Sequence, residues 1–499
     1  MERSAGILLA ISSIPSKYGI GSFSKEAYRF VDWLRAAHQS YWQILPMGPT
    51  GYGDSPYQSF STFAGNPYFI DLDTLVDQGL LTDSECREID WGDDGRYVDY
   101  RKIYEGRYPI LRKSYERWKL TDSMEFSLFM DEHRDWIYDY SLFMAVKNLY
   151  GGVPWTKWPQ DIRNRQPEAV RKMQVKLAEE IHFQQYMQYL FYTQWNALKS
   201  YANKNHIRII GDIPIYVAMD SADAWSHPEL FRLDGDRCPY EVAGCPPDGF
   251  SETGQLWGNP IYDWERNRQT GYSWWIARMR HSYRLYDVVR IDHFRGFDEY
   301  YAIPYGDKTA VNGTWKKGPG MDLFNSIEMA IGKREVIAED LGFVTDSVRK
   351  LVRDSGFPGM KVVEFAFDVR DTGAASDYLP HNYIRNCVVY TGTHDNETLI
   401  GWWDSIDQEA RDMARDYMAA HYIPDRLIHV PFIALAMRSV ADLCIIPMQD
   451  YLGLDNCSRM NKPSTVGDNW RWRIISDETD DDLAEEIGRL TQMTGRSRM

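Results

Sequence analysis

The stretch Val288-Val-Arg290-Ile-Asp292-His293-Phe-Arg295-Gly296 contains, in nine residues, the pattern that decides the fold of this chain. Val288, Val289 and Ile291 form a short apolar run, and polar residues follow it. Such a run is typical of a parallel strand that is buried on both faces. Similar runs recur along the chain, and together they predict eight buried strands, at residues 6–11, 41–46, 207–213, 288–292, 336–339, 361–365, 387–390 and 443–447.

Helical patterns lie between many of these runs. Ser24, for example, precedes a segment in which Ala27, Phe30, Val31 and Leu34 fall on one helical face, and serine is a favoured residue at a helix N-cap. Strands that alternate with helices favour an α/β fold of the (β/α)₈ TIM-barrel type. A doubly wound open sheet is the structural alternative, because it is built from the same alternation.

Two segments between predicted strands are longer than one crossover requires. Residues 48–205 are rich in Trp, Tyr and charged residues, and they predict an inserted, mainly helical subdomain. Residues 214–286 include a Pro- and Gly-rich loop and predict a second inserted subdomain. We therefore interpret residues 1–499 as one barrel with two large insertions, closed after residue 475 by a surface helix.

The charge balance excludes several classes of partner. The chain has 72 acidic and 56 basic residues, a formal net charge of −16, and no block rich in Lys and Arg. A general nucleic-acid-binding protein needs a positive surface, and an acidic surface also disfavours anionic membranes and polyanionic substrates. A neutral substrate fits this composition best.

The cysteines and the N-terminus indicate a cytoplasmic protein. The six cysteines form no C-x-x-C pair, and Cys238 and Cys245 lack the second ligand pair that a zinc site needs. The apolar residues 6–11 are too short for a membrane span and lack a cleavage signal, so they predict a buried strand. We expect free thiols, no membrane segment and no bound metal.

Acidic residues stand at the ends of several predicted strands. Asp212, Asp292 and Glu339 end three runs, and Asp395 follows a fourth. A barrel brings the carboxyl ends of its strands to one face, where catalytic groups are found. Paired carboxylates are what glycosidic-bond cleavage requires, but helix caps, ion pairs with Arg290 and Arg295, and metal-dependent hydrolysis are alternative uses of the same residues.

Several segments, read together, resemble the 4-α-glucanotransferase family, which is glycoside hydrolase family 77 of the α-amylase clan. These segments are Gly51-Tyr-Gly-Asp54-Ser-Pro-Tyr57-Gln, Arg290-Ile-Asp292-His293, Ala338-Glu339-Asp-Leu-Gly, Thr393-His394-Asp395-Asn396, the loop from Pro246 to Pro260, and Asn469-Trp-Arg-Trp-Arg473. The resemblance covers nearly the whole chain. It implies transfer of α-1,4-glucan segments between malto-oligosaccharides by a retaining mechanism, without a metal or an organic cofactor.

The resemblance also implies roles for individual residues. Asp292 corresponds to the nucleophile, Glu339 to the acid/base, and Asp395 to the residue that stabilises the distorted sugar. Substrate contacts are implied for Tyr57, Asp212, Asp248, Gln255, Trp257, Arg290 and His394. For His293, a structural role and a sugar contact are both open.

The long loop distinguishes this interpretation from its rivals. A lid that binds the acceptor and restricts water favours transfer, whereas an α-amylase-like retaining hydrolase shares the chemistry only up to the covalent intermediate. A non-catalytic glucan-binding protein is the second rival. The presence of Asp292, Glu339 and Asp395 argues against it.

Overall fold

A computed structural model describes residues 2–51, 53–121, 123–247, 251–342, 344–368 and 375–498. Its strands are β1 Ser4–Leu8, β2 Tyr41–Gln43, β3 Arg208–Pro214, β4 Glu241–Cys245, β5 Gln255–Pro260, β6 Val288–Asp292, β7 Glu299–Pro304, β8 Thr314–Lys317, β9 Val336–Ala338, β10 Gly359–Val362, β11 Cys387–Tyr390 and β12 Leu443–Pro447. Eight of them close into a barrel in the order β1-β12-β11-β10-β9-β6-β3-β2. Every neighbouring pair in this barrel is parallel.

The predicted barrel is confirmed, and the open-sheet alternative is wrong because β1 pairs with both β2 and β12. The strands β6, β11 and β12 have the bounds that the apolar runs predicted. The first strand ends earlier than predicted, at Leu8, because the chain turns into a 3₁₀ helix at Ile11–Ser13.

Helices surround the barrel and fill the long connections. They are α1 Lys25–Ala36, α2 Leu72–Asp77, α3 Asp83–Arg87, α4 Tyr100–Trp118, α5 Met124–Glu132, α6 Ile137–Leu149, α7 Gln160–Arg163, α8 Pro167–Lys176, α9 Ala178–Lys204, α10 Ala222–Ser226, α11 Trp264–Gln269, α12 Ser273–Leu285, α13 Met321–Ile331, α14 Asp346–Ser355, α15 Ala375–Tyr378, α16 Leu399–Ser405, α17 Gln408–Met418, α18 His429–Arg438, α19 Met448–Tyr451 and α20 Asp481–Met493. The helices α2 to α9 all lie between β2 and β3. Ser24 is the N-cap residue of α1, although its hydroxyl makes no capping hydrogen bond.

A second sheet lies outside the barrel. Strands β5, β4, β7 and β8 pair antiparallel in that order. No pattern in the sequence predicted this sheet. It joins two segments, because β4 and β5 precede the barrel strand β6 whereas β7 and β8 follow it. Strand β5 contains Gln255 and Trp257, so the sheet determines where these two side chains stand.

The interior of the barrel holds both apolar and charged side chains. Its apolar filling consists of Leu8, Tyr41, Ile210, Val288, Ile337, Met360, Val362, Val388, Tyr390, Leu443 and Ile445. Side chains two positions apart on a strand point to the same face. Along β6, Arg290 and Asp292 therefore share the inward face with Val288. In the register of β3, Asp212 lies opposite Arg290.

Three further features of the described residues concern membranes, metals and cysteines. No helix in this part of the chain is long and apolar enough to span a membrane. Among the same residues, no group of three or more His, Cys, Asp or Glu side chains could hold a metal ion. None of the six cysteines, all of which lie in the described part of the chain, is in a disulfide.

Candidate active site

Four acidic residues meet at the carboxyl end of the barrel. Asp292 is the last residue of β6, and Glu339 directly follows β9. Asp212 lies in the second half of β3, and Asp395 lies in the loop between β11 and α16. A chain of contacts joins these residues into one site. Arg290 contacts Asp212 and Asp292, Tyr57 links Asp212 to the ring of His394 beside Asp395, and the N–H of His293, next to Asp292, donates to Glu339.

Arg290 links two of these carboxylates inside the barrel. Its Nη1 lies 2.5 Å from Oδ2 of Asp212 and 3.1 Å from Oδ1 of Asp292. Both Arg290 and Asp212 are almost completely buried. Burial raises the pKa of Asp292 to about 6, an effect that Arg290 opposes and that Asp212 and Asp395 reinforce. The guanidinium therefore favours the ionised form of Asp292 and holds one of its oxygens in place.

Glu339 lies in a different environment. Its Oε2 accepts a hydrogen bond from the backbone N–H of His293 at 2.7 Å, and its Oε1 accepts one from Leu341 at 2.9 Å. Burial and the neighbouring Asp292 raise the pKa of Glu339 to about 7, although Arg290 and the two backbone donors oppose this shift. The two carboxylates thus have unlike environments, and Glu339 is the one that more readily keeps a proton.

Asp395 is held as an anion. Burial alone would raise its pKa, but His394 and the Asn461 amide lower it to about 2. Nε2 of His394 lies 3.3 Å from Oδ2 of Asp395, and Nδ2 of Asn461 donates to Oδ1 at 2.6 Å. The proximity of Asp395 outweighs burial and raises the pKa of His394.

Tyr57 forms one wall beside this pair. Its ring lies parallel to the ring of His394, with a centroid distance of 5.0 Å and an interplanar angle of 16°. Its hydroxyl donates to Oδ2 of Asp212 at 2.8 Å. One face of the Tyr57 ring is therefore occupied by His394, and the hydroxyl is tied to the ion pair of Asp212 with Arg290.

Strand β5 borders the site next to His293. The Trp257 ring meets the His293 ring edge to face, with centroids 4.7 Å apart and an interplanar angle of 86°. The Trp257 indole N–H donates to Oε1 of Gln255 at 3.0 Å. Asp248, which the sequence analysis placed in the same loop, lies outside the described residues.

A family model described as 4-alpha-glucanotransferase matches residues 9–477. The chain belongs to this family. A 4-alpha-glucanotransferase from Clostridium butyricum is 48% identical over 488 residues, which cover 97% of this chain and 99% of that protein. The corresponding protein from Thermus thermophilus is 44% identical over 510 residues, with 99% of each chain covered.

Solved structures agree with this family membership. The amylomaltase from Streptococcus agalactiae, solved in complex with acarbose, superposes with a TM-score of 0.96 at 40% identity and covers 100% of both chains. The amylomaltase from Corynebacterium glutamicum has a TM-score of 0.78 at 18% identity, covers 99% of this chain and 75% of that one, and shows the shared fold. The sequence-based prediction of a 4-alpha-glucanotransferase enzyme is confirmed, and this excludes the non-catalytic alternative.

Within this family fold, the structure shows contacts that sequence reasoning missed. Asn461 binds the Asp395 carboxylate, and the Arg459 guanidinium donates to the Asp395 backbone carbonyl at 2.7 Å. Asn461 is 66 positions from Asp395 in the sequence. No local pattern links two residues so far apart, so only the fold could reveal that the segment after α19 supports the loop of Asp395.

Proposed function

We propose that Asp292 is the nucleophile, Glu339 the acid/base and Asp395 the sugar-stabilising anion of a retaining transfer between malto-oligosaccharides or longer α-1,4-glucans. The observation that carries this proposal is the unlike environment of two neighbouring, half-buried carboxylates. Asp292 is paired with Arg290, whereas Glu339 has a raised pKa and no cation in contact among the described residues. Retaining glycosidases need such a pair, one carboxylate to attack and one carboxylic acid to donate a proton.

The reaction proceeds in two displacements. In the first, an Asp292 oxygen bonds to the anomeric carbon of the donor glucose while Glu339 gives its proton to the departing glycosidic oxygen. In the second, the 4-hydroxyl oxygen of an acceptor attacks the same carbon, its proton passes to Glu339, and the bond to Asp292 breaks. Asp395, kept ionised by His394, binds hydroxyls of the distorted donor ring.

The surrounding residues hold the substrate. Arg290 and Asp212 orient Asp292, and Tyr57 stacks on the donor glucose with the ring face opposite His394. Gln255 and Trp257 bind the acceptor from the second insertion, and we include Asp248 in this set. In this proposal, the insertions at residues 48–205 and 214–286 each contribute contacts to the substrate. Acarbose binding by the Streptococcus agalactiae relative supports an oligosaccharide substrate. The lack of disulfides among the described cysteines supports a cytoplasmic location.

Maltotriose tests the transfer reaction directly. We expect purified protein to convert it into a ladder of longer maltodextrins with release of glucose, because each covalent intermediate is discharged onto another sugar. Product sizes are resolved over time by anion-exchange chromatography, and new reducing ends are counted in parallel. Glucose and maltose alone, with reducing ends rising throughout, would instead support the α-amylase-like hydrolase.

The two carboxylates also predict a bell-shaped pH profile. Asp292 must be ionised, so kcat/KM rises as the pH passes the lower pKa of the pair. Glu339 must be protonated, so kcat/KM falls as the pH passes the upper one. The pKa is about 6 for Asp292 and about 7 for Glu339, so the optimum pH lies between the two limbs. Because the two carboxylates interact, each limb reports the titration of the pair and not of one residue. Initial rates with maltotriose from about pH 4 to about pH 9 check this; a profile without an alkaline limb contradicts the role of Glu339.

A further inference from the structure

His293 occupies an unusual backbone position beside the acid/base. It follows Asp292 at the end of β6 with φ 54° and ψ 48°, in the left-handed region that residues other than glycine seldom adopt. In this position, its N–H donates to Oε2 of Glu339, 2.7 Å away. The next N–H, that of Phe294, donates to the Glu339 backbone carbonyl at 3.0 Å. The turn at His293 therefore holds both the side-chain carboxylate and the backbone carbonyl of Glu339.

The side chain of His293 contacts a different element. Its ring meets Trp257 on β5 edge to face at 4.7 Å. Burial and Arg295 lower the pKa of His293 to about 3, so the ring is neutral and meets the indole as an aromatic edge rather than as a cation. Gly296 lies behind the ring, since a Cβ built there would stand 3.2 Å from Cδ2 of His293. The ring is thus confined between Trp257 and the turn.

We propose that His293 is a positioning residue that couples acceptor binding at Trp257 to the orientation of the Glu339 carboxylate. The inference rests on the proposed function, in which Trp257 contacts the acceptor and Glu339 is the acid/base. A glucose unit seated on Trp257 presses the indole against the His293 ring, and the ring fixes the turn whose N–H holds Glu339. Because one residue makes both contacts, the coupling needs no movement of the barrel.

This coupling has a consequence for the fate of the covalent intermediate. Glu339 must accept a proton from the attacking hydroxyl in the second displacement, and small errors in its placement slow that step strongly. A sugar acceptor braces Trp257 and His293 and so aligns Glu339. A water molecule makes no such contact with Trp257. The arrangement therefore favours discharge onto sugar over discharge onto water, beyond any exclusion of water by the lid.

Three variants separate the ring contact from the backbone contact. His293→Asn tolerates the left-handed backbone and keeps the N–H, but it removes the ring. His293→Phe keeps an aromatic edge against Trp257 and removes the ring nitrogens. Trp257→Leu removes the indole. We expect His293→Asn to lower kcat for transfer with maltotriose about tenfold and to leave hydrolysis within about twofold. We also expect the alkaline limb to move upward, because the backbone N–H that Glu339 accepts is held less firmly without the ring. Asp292, Arg290 and Arg295, the charged groups that influence Glu339 in the described part of the chain, are unchanged.

The matched comparisons decide the outcome. We expect His293→Phe to keep the ratio of transfer to hydrolysis within about twofold of the wild-type value, and His293→Asn/Trp257→Leu to be no slower in transfer than Trp257→Leu alone. Three results would each overturn the inference. They are a wild-type ratio of transfer to hydrolysis in folded His293→Asn, a loss of transfer in His293→Phe equal to that in His293→Asn, and additive losses of transfer in the double variant. Glu339→Gln is measured alongside: if it stays fully active the proposed function itself fails, whereas if only the His293 comparisons fail, the coupling alone is wrong.

Discussion

Asp292→Asn is expected to lose both glycosyl transfer and hydrolysis while the protein stays folded. Both reactions pass through the bond between Asp292 and the anomeric carbon, and an amide cannot form it. We expect kcat to fall about 10⁴-fold or more, as for other enzymes that lose their nucleophile. Arg290 keeps its ion pair with Asp212, so the buried guanidinium is not left without a partner. The melting temperature should therefore stay close to the wild-type value.

The measurement is maltotriose turnover together with a thermal melt of each variant. Asp298→Asn is a matched control, because Asp298 lies six residues along the same segment and binds the Ser347 hydroxyl outside the site. We expect this control to keep wild-type turnover. Near-normal activity of Asp292→Asn would remove Asp292 from the role of nucleophile, and a melt that falls sharply would assign it a structural role instead.

Glu339→Gln is expected to lose activity on donors whose leaving group needs a proton and to keep the first displacement on donors whose leaving group does not. With maltotriose, the departing oxygen needs a proton that Gln cannot give, so kcat should fall about 10³-fold. With α-glucosyl fluoride, fluoride departs without a proton and the first displacement is largely spared. The second displacement lacks its base, so the glucosyl-enzyme accumulates. The mass of the intact protein, measured after rapid mixing, detects this adduct on Asp292.

The control for this variant is Glu335→Gln. Glu335 precedes the same strand, β9, at its opposite end and pairs there with Arg208, away from the barrel mouth. We expect it to turn over both donors at the wild-type rate. Equal losses of Glu339→Gln on maltotriose and on the fluoride, with no adduct, would contradict proton donation by Glu339 and favour a role in binding.

Much of the barrel was predictable because its signals are local. The strands β6, β11 and β12 are short apolar runs whose ends coincide with a change to polar residues. A strand buried on both faces imposes this pattern wherever it occurs. The same strand ends also identified Asp292 and Glu339 as candidates, since a parallel barrel gathers the carboxyl ends of its strands at one mouth.

The sheet formed by β4, β5, β7 and β8 had no comparable signal. Its strands are partly exposed and irregular, and β4 pairs with β7 although the barrel strand β6 lies between them in the sequence. Pairing of this kind depends on how two loops meet above the barrel. Sequence analysis could therefore name Trp257 as a lid residue but could not place it against His293.

The sequence by itself determined the barrel and the family and named the candidate carboxylates. The barrel follows from the periodicity of short apolar runs, and the family and the candidates follow from the resemblance of several short segments to known members. Only the tertiary structure decided how the carboxylates differ. Arg290 contacts Asp292, backbone N–H groups hold Glu339, and Asn461 with His394 keeps Asp395 ionised. A carboxylate's pKa depends on burial and on charges within a few ångströms, and the folded chain draws those neighbours from segments that are distant in sequence.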